Sequence, residues 1–381
     1  MAVGIISFSH TKYGKLSEDI PTLLKSSIES AISSVDHGID PSDIDLLLVS
    51  NLDNQFANQH QIGTVAWGYL GNPRAQAFRI EAACASGGMA TYVAKQMIES
   101  GVARNALVVG VEKMTQLSTG TATSILIRGG APEEINYGAT QPAAYGFCAQ
   151  LYMEKYGATE DDFALVTVKN HKNAMRNPWA QFHKEFTTEA VKNSAVIASP
   201  IRLLHCSPIT DGAAALLLSG EPRKYTDTPV YIKGMSVAYD TMGVFQREDP
   251  TFIKASNVAA QTSYASAEMD PKDIQIAEVH DAFSPCEIMA YEALGFAKKG
   301  EGINLLRSGR TMADGDLPVN VSGGLKAKGH PVGATGVGMI VEVYLQLLGK
   351  AGERQVPSVE RGLVENHGGT GATAVVTVLG R

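Results

Sequence analysis

An internal repeat limits the fold more than any other feature of this sequence. DPSDIDLLLVSN (40–51) returns as DPKDIQIAEVHDAF (270–283), each a turn and a polar lead into a buried apolar run. AFRIEAACASGGMATYVAKQMIESG (77–101) has the same order of apolar run, small-residue turn and helical pattern as LPVNVSGGLKAKGHPVGATGVGMIVEVYLQLLG (317–349). The third pair is ALVVGVEKM (106–114) with GLVENHGGTGATAVVTVLG (362–380). A repeat of this length predicts two similar α/β halves packed together, with strand-to-helix turns of both halves facing one site. In this register Cys84 and His330 occupy equivalent places.

The organisation follows from the apolar runs. AVGIISF, DLLLVSN, AFRIEAA and ALVVGVEKM read as buried strands, and LLKSSIESAISSV and GGMATYVAKQMIESG as helices, a βαβ series. From Ser118 to Pro200 the pattern loosens into turn-rich text with the helices GFCAQLYMEKYG and DDFALVTVKNHKNAMRN and the aromatic loop NPWAQFHKEF. Residues 1–117 and 201–222 therefore read as one half, 118–200 as an inserted loop subdomain, and 223–381 as the other half.

Composition narrows the function. The net charge of −7, without a Lys/Arg cluster, argues against a nucleic-acid partner. Charged residues make up 19% against roughly 25% in typical soluble domains, which fits a surface partly covered in a homo-oligomer. The four cysteines, Cys84, Cys148, Cys206 and Cys286, form no CxxC pair and no zinc-ligand spacing, so neither a disulfide framework nor a metal site is expected. MAVGIISFSHTKYGK lacks the features of a signal peptide, no apolar run reaches the ~18 residues of a membrane span, and VTVLGR is not a peroxisomal address. A cytoplasmic chain is expected.

The chemistry-bearing residues sit in the small-residue turns. EAACASGGMA (81–90) surrounds Cys84 with residues too small to build a core, leaving room for a large group to approach the sulfur. A cysteine opening a helix after a strand is expected to have a lowered thiol pKa, and the unpaired N–H groups there suit an oxyanion. GHPVGATG offers His330 as a base, HDAF offers His280 at a strand end, and ENHGGTG can aim N–H groups at a developing negative charge. Taken singly, a packing cysteine, a turn-capping histidine or a core histidine explains each. Four such turns in a repeated frame point to one catalytic site. GGTGAT and GATGVG give neither a dinucleotide fingerprint nor a P-loop.

Over essentially its whole length the sequence resembles the thiolases. EAACASGG resembles their nucleophile turn, HDAF the oxyanion-site turn, GGLKAKGHPVGATG the general-base turn and ENHGGTG the closing glycine-rich turn. HDAF and SPIRLLHCSPITDGAAALLLSG are similar to the sterol-carrier-protein-type and archaeal-type branch. The resemblance implies a five-layered α-β-α-β-α fold of two repeated halves with a loop subdomain over the site. It implies that Cys84 accepts an acyl group, His330 is the base, and His280 completes an oxyanion site. The implied reaction is cleavage of a 3-ketoacyl-CoA by coenzyme A, or the reverse condensation, with coenzyme A as substrate and no permanent cofactor. It also implies a small partner subunit built from a zinc ribbon and an oligonucleotide-binding-type barrel.

The sequence departs from the family at the second cysteine, which thiolases carry in the closing turn or in a His-Asp-Cys-Phe turn. Helical spacing makes Cys286, four residues beyond Ala282, the expected acid/base, with His367 as the other choice. Two further readings stay open: a thiolase-like retro-aldolase and a non-catalytic lipid-transfer scaffold. Retention of Cys84 and both histidines disfavours each.

Overall fold

Asp40 and Asp270 each open a short 3₁₀ turn, Pro41–Asp43 and Pro271–Asp273, whose proline presets the backbone for the turn and feeds a strand. The repeat therefore has a structural counterpart at its first element. The computed structural model of the chain describes residues 2–381. The first half runs β1 (Gly4–His10), α1 (Ile20–Ser33), β2 (Leu46–Ser50), α2 (Asn54–Ala57), α3 (Ile62–Leu70), β3 (Gln76–Ile80), α4 (Ser86–Glu99) and β4 (Asn105–Glu112). The segment expected as a subdomain contains α5 (Thr119–Leu126), α6 (Pro132–Asn136), α7 (Gln141–Tyr156), α8 (Glu160–Ala174), α9 (Thr188–Lys192) and β5 (Val196–Ala198). After β6 (Ile201–Arg202), which pairs with β5, strand β7 (Gly212–Ser219) rejoins the sheet. The second half is β8 (Val230–Tyr239), α10 (Lys254–Ala267), β9 (Ile276–Val279), α11 (Ser284–Ala293), α12 (Gly302–Arg307), α13 (Gly324–Lys328), α14 (Val332–Leu348), β10 (Arg361–Gly368) and β11 (Thr373–Gly380).

Nine strands pair in the order β3-β2-β4-β7-β1-β8-β11-β10-β9. The order is symmetric about the β1–β8 junction, where two register pairs, Gly4 with Tyr231 and Ile5 with Val230, join the half-sheets. β2 lies parallel between β3 and β4, as β9 lies parallel to β10. The counterpart of β3 was expected in LPVNV. It does lie beside β9, where Ala277 and Val319 form one parallel bridge, but Asn320 with φ +57° turns the chain away before a strand can form.

The layers are built by where apolar faces are buried. α1 and α3 cover the outer face of the first half-sheet through Leu23, Leu24, Ile28 and Ile62, packed on Leu47, Val49, Leu107 and Val109. α10 covers β8 and β11. Between the half-sheets lie α4 and α14, each touching strands of both halves, which completes five layers. α14 is buried along almost its whole length, as an apolar helix in the middle of a protein must be.

Glycine permits the crossing of the two central helices. A Cβ at Gly336 would stand 2.4 Å from Gly88 N and 2.2 Å from Asn366 Oδ1, and one at Gly87 would stand 2.7 Å from Val337 N. We expect Gly336→Ala to destabilise the protein by at least the ~1–3 kcal/mol typical of overpacked cores, lowering its denaturation midpoint. Gly68→Ala is the control: Gly68 lies in α3 with no atom within 4 Å of the added methyl, so stability should hold or rise by up to ~1 kcal/mol.

Candidate active site

The turn before α4 holds Cys84 by force. Ala83, a residue with a side chain, sits at φ +50°, a conformation that costs energy and persists only where neighbours fix it. The Ala83 N–H donates to Glu81 at 2.6 Å, while Ser86 Oγ accepts from Ala82 N–H at 2.9 Å and donates to Ala83 O at 2.5 Å. The turn before α14 is its equivalent: Cys84 and His330 each stand two residues ahead of the first residue of their helix. His330 follows Gly329, whose φ of +116° glycine alone adopts freely, and its N–H donates to Thr210 Oγ1 at 3.0 Å.

The sulfur of Cys84 and one ring nitrogen each of His280 and His330 lie within 4.8 Å of one another. Hydrogen bonds determine which nitrogens carry protons. Gly88 N–H donates to Asn366 Oδ1 at 3.2 Å, which fixes the amide so that Nδ2 donates to Cys84 O at 2.9 Å and to His280 Nδ1 at 3.2 Å. His280 Nδ1 is thus an acceptor and its proton sits on Nε2, which is buried and meets no partner among the described residues. Thr335 donates its hydroxyl proton to Pro331 O at 3.0 Å, so at 2.7 Å it accepts from His330 Nδ1. His330 Nε2 is left as a free base.

Both histidines are neutral at rest. Burial, reinforced by the His367 charge, pushes His330 down to about 3, and burial with the His367 and His330 charges holds His280 well below the usual range. Cys84 corrects the expectation of a lowered thiol pKa. Burial pushes it up to about 12, and the Gly369 N–H at the sulfur offsets only part of this, while Glu112 and Glu81 add to the rise. A zinc-like ion would need a thiolate and two unprotonated nitrogens. With a proton on Cys84 and on His280 Nε2, the trio is set to donate to an oxygen instead.

Neither expected acid/base faces the cavity. Cys286 is fully buried in α11, and burial raises its thiol pKa. His367 is pinned on both sides: Nδ1 donates to Glu365 Oε1 at 2.8 Å, and Nε2 meets at 2.9 Å the Tyr145 hydroxyl that donates to Gly369 O. Its ring lies 4.5 Å from that of His280. Burial opposes ionisation of Glu365, yet His367, Ser256 and the His280 N–H together hold it below the usual carboxylate range. His367 Nδ1 and Glu365 Oε1, 2.8 Å apart and fully buried, stand behind the site.

A cavity of about 590 Å³ opens in front of Cys84 and His330. One wall is Leu52, Met114, Ile125, Leu126, Ile209 and Val332, part of an apolar cluster that Cys84 itself joins. The other is Tyr145, Phe283, Cys206, Ile197 of β5 and Leu203, the residue after β6. Segment 118–200 contributes Thr119, Ile125, Leu126, Tyr145 and Ile197 to the lining. Sequence reasoning missed Asn366, Glu365, Tyr145 and Thr335. Asn366 and Glu365 stood within the quoted ENHGGTG, on a strand whose alternation sends their side chains opposite ways. Asp281 of HDAF is structural: it accepts from Leu325 N–H at 2.6 Å and Asn170 Nδ2 at 2.7 Å, tying the His330 turn to the His280 turn.

Two family models match, "Thiolase, N-terminal domain" over residues 3–222 and "Thiolase C-terminal domain-like" over 236–381. An acetyl-CoA acetyltransferase of Methanothermobacter thermautotrophicus is 42% identical over 387 residues, covering 100% of this chain and 99% of that protein. Sterol carrier protein 2 of Homo sapiens is 36% identical over 316 residues, covering 77% of this chain and 56% of that protein. A solved structure titled "Ltp2-ChsH2(DUF35) aldolase" superposes with a TM-score of 0.85 at 26% identity, covering 100% of this chain and 97% of that one.

The raised Cys84 pKa sets the reactivity of the resting protein. Only the thiolate alkylates, so labelling of Cys84 by iodoacetamide should accelerate about tenfold per pH unit from about pH 6 to about pH 9 without levelling off. A plateau near neutrality would mean a resting thiolate paired with a charged histidine.

Proposed function

The chain belongs to the thiolase family, and on that premise we propose that it cleaves a 3-ketoacyl-CoA with coenzyme A, or runs the reverse condensation, through an acyl group held on Cys84. The observation that carries this reading is the approach of the Cys84 sulfur and the two histidine nitrogens to within 4.8 Å. Being a thiolase, the chain is an acyltransferase, with coenzyme A as its substrate.

The residues support the following sequence. His330 Nε2 takes the Cys84 proton as the sulfur attacks the ketone carbon, so the thiolate exists only while it reacts. Negative charge on the substrate oxygen falls against His280 Nε2–H, a buried donor with nothing else to bond, and such preorganised donors stabilise it strongly. The carbon–carbon bond then breaks, leaving the acyl group on Cys84 and an enolate that must be protonated on carbon. His330 gives its proton to replace the one spent on the enolate, coenzyme A then loses its thiol proton to the freed His330 and attacks the acyl–Cys84 carbonyl, and Cys84 takes that proton back as the acyl–sulfur bond breaks and the new acyl-CoA leaves.

The structural relative titled an aldolase favours a second reading, retro-aldol cleavage, which forms no acyl–Cys84. Mass spectrometry after incubation with acetyl-CoA separates the two. We expect an acetyl adduct on Cys84, its loss with all turnover in Cys84→Ser, and a rate lowered ~10²–10⁴-fold in His330→Ala. Turnover without an adduct would favour the aldolase reading.

A homodimer is proposed as well. β3 is an edge strand, and it carries Phe78 45% exposed. An unpaired edge with an exposed aromatic is a template for pairing with another chain, here a second copy. A small zinc-ribbon and barrel partner remains part of the proposal, supported by a relative whose title joins two components. Phe78→Lys should shift the protein toward monomer in sedimentation analysis, and an unchanged mass would remove β3 from the interface.

A further inference from the structure

Carbon protonation needs a group that reaches substrate, and neither Cys286 nor His367 lines the cavity. Resting on the thiolase reading above, we propose that Cys206 is the catalytic acid/base for the carbon next to the thioester carbonyl. Among the cysteines, Cys84 and Cys206 line the cavity, whereas Cys148 and Cys286 are buried away from it.

The backbone brings Cys206 to the site from outside the repeat. Cys206 and Phe283 form an antiparallel bridge, and Ser207 N–H donates to Ala282 O at 2.9 Å, so Cys206 stands beside the HDAF turn, whose third residue is alanine; at rest its thiol donates to Arg202 O at 3.4 Å. Four residues on, the same segment reaches the base: Ile209 and His330 form a parallel bridge, and Thr210 Oγ1 accepts the His330 N–H. Residues 206–210 therefore run along the cavity wall from the oxyanion-site turn to the general-base turn. One cation is placed to assist. Lys326, buried, donates to His205 O, one residue from Cys206. Burial raises the Cys206 thiol pKa and the Lys326 charge opposes the rise, favouring the thiolate when it forms.

In condensation His330, which has given the Cys84 proton to the departing coenzyme A, takes the Cys206 proton and later returns it to Cys84; the Cys206 thiolate removes the proton from C2 of an acyl-CoA, giving its thiol and an enolate. The enolate carbon attacks the acyl–Cys84 carbonyl, the new carbon–carbon bond forms, and the carbon–sulfur bond breaks as Cys84 thiolate leaves. In cleavage the Cys206 thiol returns that proton to C2 as the bond breaks. Proton and electron pair balance without any further reactant.

Acetyl-CoA is the probe, with two readouts on each variant: acetylation of Cys84 by mass spectrometry, and deuterium uptake at the acetyl carbon in heavy water. Wild type should do both. Cys206→Ala should acetylate at the wild-type rate, which also shows that it is folded, while deuterium uptake falls ~10²–10⁴-fold. Cys206→Ser, with a far less acidic group in the same place, should lose uptake too. Wild-type uptake in an acetylated Cys206→Ala protein would overturn the assignment to Cys206 and pass it to His280 or a water molecule. Failure of wild type to acetylate would instead overturn the thiolase reading beneath it.

Discussion

One amide side chain holds the site together. Asn366, carried by β10 of the second half, accepts from Gly88 at the start of the central helix of the first half and donates to the carbonyl of Cys84 and to His280 Nδ1. Three consequences come from this single orientation. The nucleophile turn is fixed to the opposite half, the His280 tautomer is set, and a proton is left on the buried Nε2. The glycines at the helix crossing exist for the same reason, since a methyl group at Gly336 would strike this amide.

The site stores little charge where the chemistry takes place. Cys84 is protonated and His280 and His330 are neutral, because burial penalises every ionised form. His367 and Glu365 stand one layer back, 2.8 Å apart. Burial above all keeps the nearer histidines unprotonated, so His330 is ready to accept a proton and His280 to donate a hydrogen bond. A preformed thiolate would have gained reactivity toward any electrophile; a thiol with an adjacent base reacts when a carbonyl is seated against it.

Much of the architecture was legible because the repeat constrains it twice. The Asp-Pro turns, β2 and β9, and the equivalence of Cys84 and His330 appear where the sequence placed them. The thiol pKa was misjudged because a helix start was weighed without burial, which no local pattern reports. The surroundings of Cys286 were not legible because i to i+4 spacing says that two residues share a helix face but not which face meets the cavity; α11 is buried on every side. Asn366 could not be assigned its role since its three partners lie 278, 282 and 86 residues away in the chain.

Duplication explains the pairing of nucleophile and base, yet two identical halves would give a symmetric site unable to tell one substrate end from the other. The asymmetry comes from what was added between β4 and β7. The helices and the β5–β6 hairpin of that segment line the cavity with Ile125, Leu126, Tyr145 and Ile197, which have no counterpart in the second half, and the chain leaving the hairpin returns past HDAF and GHPVG before it enters the sheet as β7. A chain that must re-enter its sheet at that point is obliged to line the wall between the two histidine turns, so residues 206–210 are positioned by topology as much as by their own side chains. Side chains there can change without disturbing the repeat, whereas a change at Asn366 or Gly336 disturbs both halves at once.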